Sequence, residues 1–383
     1  MTRADAETTS AAAQASRLPY AVLGGGILGV STAFHLARTG VPVVLFTDGQ
    51  LASGASGRSL SWLNSAGTRS LAYHQLRMAG IDRYRALATS GPAADWLRFD
   101  GGLRWSDDGH ADELLEEHNA ELAHGYDSRL VNAHEVGRLD PAVDPGSIPK
   151  SGAVWNAGEG WVDLPALVAA LVDELKRLGG VVISGAGRAH VELEGGRVAA
   201  VTTGDGRRTA VGVALLATGA AVPTMVAEFG VVIPDATPVA MLVRTVPVAT
   251  ELRAVLNTPR VALRPAPGGR LAVDADWTAA HIVTADAMSS VPPSVVEDLL
   301  AEASAVLSNH PQLTAESVWI GPKPIPGDGQ PVLGAIQQVP GLYVAFTHSG
   351  ATLGLIVGEL LARQMITGKV QPLAAPFAPA RFC

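Results

Sequence analysis

Three glycines at 24, 26 and 29, in the stretch AVLGGGILGVS of residues 21–31, have the spacing for chemistry done by backbone rather than by side chains. In a G-x-G-x-x-G run the first glycine permits a tight turn and the second lets main chain approach a pyrophosphate. The third lets a helix pack on a strand, and the helix N-terminus then offers N–H groups to phosphate. Gly24, Gly26, Ile27, Leu28 and Gly29 are therefore the first candidate cofactor contacts. The motif alone does not separate a nicotinamide dinucleotide from a flavin one. A second set lies in LASGASGRS, residues 51–59, where Ser53, Ser56, Gly57, Arg58 and Ser59 suit a main chain running close to a diphosphate, a loop nicotinamide enzymes do not need. Further close-approach turns occur at Ala217, Thr218 and Gly219, in GPKPIPGDGQPVLG at 321–334 and in FTHSGATLG at 346–354.

The elements that must hold these turns follow from apolar spacing. Tyr20–Leu23 is a short apolar strand; Ile27, Leu28, Thr32, Ala33, Leu36 and Ala37 recur at helical spacing until Gly40, and 43–46 is a second strand. That is a βαβ unit. A second helix starts with Asp163 as cap and Pro165 in its first turn and ends at Gly179-Gly180, before a strand at 181–183. Strands at 188–193 and 198–203 flank the turn EGGR, VALLATGA is a buried strand running into a turn, and LYVAF leads through THSGA into a helix at 352–366. Between these units, residues 98–150 are polar and partly helical, while 226–320 hold the β-prone runs VAMLVRTV, RVALRP and RLAVDA and the helix SVVEDLLAEASAVL. The expected fold is α/β: a Rossmann-like cofactor domain assembled from 19–97, 151–225 and 321–383, and a second α+β substrate domain with a mostly antiparallel sheet from 98–150 and 226–320, behind a loose tail at 1–18.

Composition narrows the function. The 383 residues are 48% hydrophobic and 17% charged with net charge −8, enough apolar surface for a large core and no Lys/Arg run for nucleic acid or anionic lipid. The single cysteine, Cys383, excludes an intrachain disulfide or thiolate metal cluster and fits a reducing cytoplasm. No secretory signal or bilayer-length apolar run is expected. His110, His118, His124 and His134 fit no compact ligand spacing, and DELLEEHNAELAH is read as an acidic amphipathic helix with a wet face, so no metal is expected.

In this order, GGGILG, SGASGR, GWVDLPALVAAL, ATGA, GPKPIPGDGQPVLG and HSGATLG resemble the D-amino-acid oxidase superfamily of flavoenzymes, over residues 19 to about 368. The resemblance implies bound FAD, oxidation of a C–N bond in an amine or amino acid, and a flavin ring at the boundary of two domains. Glutamate usually ends the second strand to hold the adenosine ribose; here Thr47 stands there, followed by Asp48. Arg188 and Gly334 join the cofactor set on the same ground. Negative charge on the reduced ring suits the helix N-terminus formed by Ser349, Gly350, Ala351 and Thr352.

By the same resemblance Lys323 replaces an arginine that grips the substrate carboxylate, offering a point charge without a bidentate fork. His348 is placed toward the substrate, and Arg264 in RVALRP offers a second cation, on the floor of the second sheet or on its surface. Cysteinyl flavin attachment in the C-terminal loop is excluded, so FAD is expected to be non-covalent. The expected reaction takes a small amine to an imine, with hydride passing to flavin N5 and O2 as acceptor. A dehydrogenase serving an electron carrier, a tailoring oxidase acting on an amine inside a larger metabolite, and a flavin-bound partner-binding protein remain open at this point.

Overall fold

A computed structural model describes residues 18–89, 95–286 and 288–382; the expected tail, but for Leu18, and Cys383 lie outside them. Five parallel strands and one antiparallel edge form a six-stranded sheet in the order Val332–Ala335, Leu342–Phe346, Val213–Leu216, Tyr20–Leu23, Val43–Thr47, Val181–Ser184. Its strands are apolar on both faces because both are covered. One face carries the first helix, Ile27–Arg38, together with Leu71–Thr89, Leu164–Arg177 and the last helix, Gly350–Thr367. Against the other face lies a three-stranded antiparallel sheet, His190–Glu194, Arg197–Thr202 and Arg208–Ala210, whose Val198 and Val201 pack with Leu23, Phe46 and Phe346. The helix Leu164–Arg177 begins as the sequence dictates: Asp163 accepts from the Ala166 N–H at 3.1 Å, and Leu164, Leu167, Val168, Leu171, Val172 and Leu175 face the core.

The second sheet has eight strands in the order Ala315–Pro322, Val239–Thr245, Arg270–Asp274, Ala262–Ala266, Val255–Asn257, Gly102–Arg104, Ala153–Asn156, Arg129–Val131. Every pair is antiparallel except Val255–Asn257 with Gly102–Arg104. Helix Pro293–Ala305 covers one face and closes a separate core around Leu263, Leu271, Val273 and Leu299. Here the sequence boundary at 151 shifts. Ala153–Asn156 pairs with Gly102–Arg104 and Arg129–Val131, and Ala153 and Trp155 bury into the second core.

The helix Ala111–Ala123 forms, but its face is not wet throughout: Glu121 is 1% exposed and His118 is buried. Arg104 pairs with both Glu117 and Glu121, and His118 Nδ1 lies 2.7 Å from Ser128 Oγ. Beside this helix Glu159, fully buried, accepts from Tyr126 Oη at 2.5 Å and from the Trp62 indole N–H at 2.8 Å. Burial is the main reason its carboxyl is pushed up to about 8 from 4.5, with nearby Glu121 adding to it.

Two close approaches fix the helices. A methyl on Gly354 would collide with Ile27, and one on Gly358 with Ser31, so the last helix can lie against the first only with glycine there. Gly358→Val is therefore expected to cost roughly 1–3 kcal/mol by overpacking and to lower Tm by several degrees. Gly212→Ala, with no atom within 4 Å of the added methyl, should change stability by less than about 0.5 kcal/mol. Glu159 gives a pH test. It is protonated in the fold below about 8 and would ionise above about 4.5 once unfolded, so its contribution is full below 4.5 and is lost as pH rises toward 8. Thermal melts across that window should show wild-type Tm falling relative to Glu159→Gln; parallel curves would refute the assignment.

Candidate active site

A cavity of about 760 Å³ runs between the glycine turn of the first sheet and the exposed face of the second. Its far end is the cofactor cradle. Gly24 has φ +123° and lies so close to the Ala217 carbonyl that a side chain would collide with it; Gly29 packs against the Gly24 carbonyl in the same way. The first N–H of the helix, on Ile27, donates to Ser56 Oγ at 3.0 Å, and the Ala52 N–H donates to the Gly25 carbonyl at 2.9 Å, so the SGASGR loop closes over the glycine turn. Arg58 gives one N–H to the Ser53 carbonyl at 2.6 Å, while its Nε is buried with no partner. Gly24, Gly26, Ile27, Leu28, Thr47, Asp48, Ser53, Ser56, Arg58, Ser59, Arg188, Ala217, Thr218 and Gly219 all line this end. The Thr47 hydroxyl faces the turn and donates to the Gly49 carbonyl at 3.3 Å, leaving Asp48 as the acid on the wall. An elongated cavity with backbone cradle, hydroxyls and an unsatisfied guanidinium fits an adenine dinucleotide such as FAD.

At the other end the last helix points its N-terminus at the cavity, lined by Ser349, Gly350, Ala351 and Thr352. Ser349 does not cap that helix. Its hydroxyl lies 2.6 Å from Tyr73 Oη and accepts from Arg77, whose guanidinium also donates to the Asn64 carbonyl at 2.8 Å and Asn64 Oδ1 at 2.8 Å. Among the described residues the N–H groups of Gly350, Ala351 and Thr352 donate to no protein group, which leaves them for a ligand. Thr352 instead ties the wall together by donating to the Trp62 carbonyl at 3.1 Å.

His348 opens onto the cavity and hydrogen-bonds no described residue. Although the residue is exposed to the cavity, partial loss of hydration beside the protein, then Lys323, Arg77 and Arg69, hold its pKa down at about 4, so it is neutral at neutral pH. Lys323 also lines the cavity, but its ammonium is paired with Asp276 Oδ1 at 3.1 Å.

Four expected site residues stand off the wall, Gly29 beneath the glycine turn among them. Gly57 shapes its loop beneath the Ala52 carbonyl, and Gly334 packs on Gln364. Arg264 is 2% exposed, donates to the Leu60 and Pro265 carbonyls and lies 4.8 Å from the Trp161 ring centre; it joins the second sheet to the 60–62 loop rather than meeting a substrate.

A further cation on the cavity wall, unforeseen from the sequence, is Arg69. Its Nε is buried without a partner, its guanidinium lies 5.5 Å from the Tyr73 ring, and burial followed by Arg77 lowers its pKa to about 10. Arg69, Tyr73 and Arg77 repeat every four residues, and this polar stripe at helical spacing was the available signal. Asn257, Asp274, Asp276 and Trp277 complete the opposite wall, where only β-prone patterning was visible.

Among the described residues no group of three or more His, Cys, Asp or Glu could hold a metal ion, and no helix is long and apolar enough to cross a membrane. The chain is 25% identical over 379 residues to an uncharacterized oxidoreductase, YurR, of Bacillus subtilis (strain 168), covering 94% of this chain and 98% of that one. It is 24% identical to glycine oxidase of Bacillus licheniformis, over 91% of this chain and 93% of that one. The fold superposes on the crystal structure of glycine oxidase from Geobacillus kaustophilus with TM-score 0.82 at 22% identity, over 96% and 99% of the two chains. A family model described as FAD dependent oxidoreductase matches residues 20–364. The chain belongs to this family, the D-amino-acid oxidase superfamily of FAD-dependent oxidoreductases.

Proposed function

We propose that the protein oxidises the C–N bond of a small amine or amino acid to an imine, with non-covalent FAD and O2 as the terminal oxidant. The observation that carries this reading is the orphan guanidinium of Arg69 in the same cavity as the neutral imidazole of His348, continuous with the cradle. A half-buried arginine whose Nε is buried without a partner calls for an anion, and its planar fork suits a carboxylate. Lys323, already paired with Asp276, contributes positive potential to the site rather than the first grip on that carboxylate.

The remaining geometry prepares the nitrogen. Hydride leaves carbon readily only when the adjacent amine is neutral, and cations at Arg69, Arg77 and Lys323 disfavour a further ammonium among them. His348, uncharged above about pH 4, can accept a hydrogen bond from that amine without repelling it. When bound, FAD supplies the two-electron acceptor. The free N–H groups of Gly350, Ala351 and Thr352 then face the negative charge that reduction creates. Non-covalent attachment is supported by the absence of any cysteine but Cys383. The imine product would be hydrolysed in water, and O2 would take up the two electrons as peroxide.

The test is anaerobic addition of amino acids and N-alkyl amino acids of either hand to the purified holoprotein. The visible flavin band should bleach and recover in air with stoichiometric peroxide. Arg69→Met should raise KM for carboxylate-bearing substrates about 10- to 100-fold, the value of a lost charge-assisted pair, with the limiting reduction rate changed much less. No bleaching by any amine, or an unchanged KM, would overturn the reading; slow recovery without peroxide would replace O2 with a carrier.

A further inference from the structure

The wall opposite Arg69 carries a charge that the reaction as described does not use. In the strand Arg270–Asp274, Leu271 and Val273 bury into the second core, so alternation turns Arg270, Ala272 and Asp274 to the opposite face. Asp274 lies there on the cavity wall. It pairs in register with Ala262, which pairs in turn with Asn257, and all three line the cavity. The row thus presents an amide, a methyl and a carboxylate on three adjacent strands, the small middle residue leaving room between the two polar ends.

The carboxylate of Asp274 makes no hydrogen bond or ion pair among the described residues. The two cations that act on it electrostatically are engaged elsewhere: Lys323 with Asp276 at 3.1 Å, Arg264 with the carbonyls of Leu60 and Pro265. Burial outweighs both and pushes the Asp274 carboxyl up to about 6, so it is still ionised at neutral pH. An ionised carboxylate half-withdrawn from water and without a donor is as incomplete as the orphan arginine on the other wall.

We propose that Asp274, with Asn257 beside it across Ala262, selects substrates that carry a second cationic nitrogen, an ammonium or a guanidinium, at the end remote from the carboxylate gripped by Arg69. The proposal rests on the amine-oxidation reading and adds the substrate class: basic amino acids or their N-substituted derivatives. Two complementary charges on opposite walls also fix which end of a dipolar molecule meets His348.

The probes are isosteric pairs differing in one charge. For binding, 4-guanidinobutanoate and 4-ureidobutanoate are titrated into holoprotein and followed by the flavin difference spectrum. For turnover, arginine and citrulline of each hand are compared. Wild type should favour the guanidino member of each pair about tenfold or more, as expected for one charge-assisted contact. In Asp274→Asn that ratio should collapse to about one, and Asp274→Glu should recover part of it. Equal affinity for both members in wild type overturns the proposal even if no variant folds; so does a ratio that survives Asp274→Asn. Preferential binding without bleaching would leave Asp274 as a cation site and sink the oxidation reading. Bleaching by neutral amino acids without preference would do the reverse.

Discussion

Arg77 is the interaction on which the site depends. Its guanidinium reaches Asn64 in the loop that follows the SGASGR segment and Ser349 at the start of the last helix. It thereby joins two stretches nearly 300 residues apart in sequence. Because Ser349 is taken by Arg77 and Tyr73, it cannot cap its own helix, and the first N–H groups of that helix are left facing the cavity. The same guanidinium helps keep His348 neutral and lowers the pKa of Arg69. One buried, fully engaged arginine therefore sets the position of the helix, the charge on the imidazole and the hunger of its neighbour for an anion.

Behind it stand purely steric constraints. The glycine turn is shaped by Ala217 and the helix pair by Gly354 and Gly358, positions where a side chain would strike backbone or a neighbouring helix. Sterics build the cradle, and electrostatics furnish the far end. A charge withdrawn from water without a partner is costly, so the engaged and unengaged cations have different meanings: Arg77 is architecture, Arg264 is a strut, and Arg69 awaits a ligand.

This division explains what was legible in the sequence. The glycine turn, the SGASGR loop and the two βα units around it were readable because their causes are local: spacing, caps and close approach. Residues 153–156 fell on the cofactor-domain side of the expected boundary because their pairing with residues 102–104 is set by a partner some fifty residues away. Lys323 was found by motif, but its engagement with Asp276 across 47 positions could not be. Arg264 looked like a ligand because a lone arginine in a strand has the same local pattern whether it meets solvent, substrate or a tryptophan. Glu121 and His118 read as solvent-facing since an acidic helix carries no sign of the arginine that buries it. Arg69 was missed although its four-residue spacing with Tyr73 and Arg77 was visible, for it stands just ahead of the helix Leu71–Thr89, where a lone arginine ordinarily faces water.

The most direct test of the account is a crystal structure of the holoprotein soaked with a simple, non-oxidisable carboxylate. The account places FAD in the cavity between the glycine turn and the last helix, with the carboxylate on the Arg69 fork and the Lys323–Asp276 pair intact. A carboxylate held instead by Lys323, with Asp276 displaced and Arg69 still unpartnered, would contradict it.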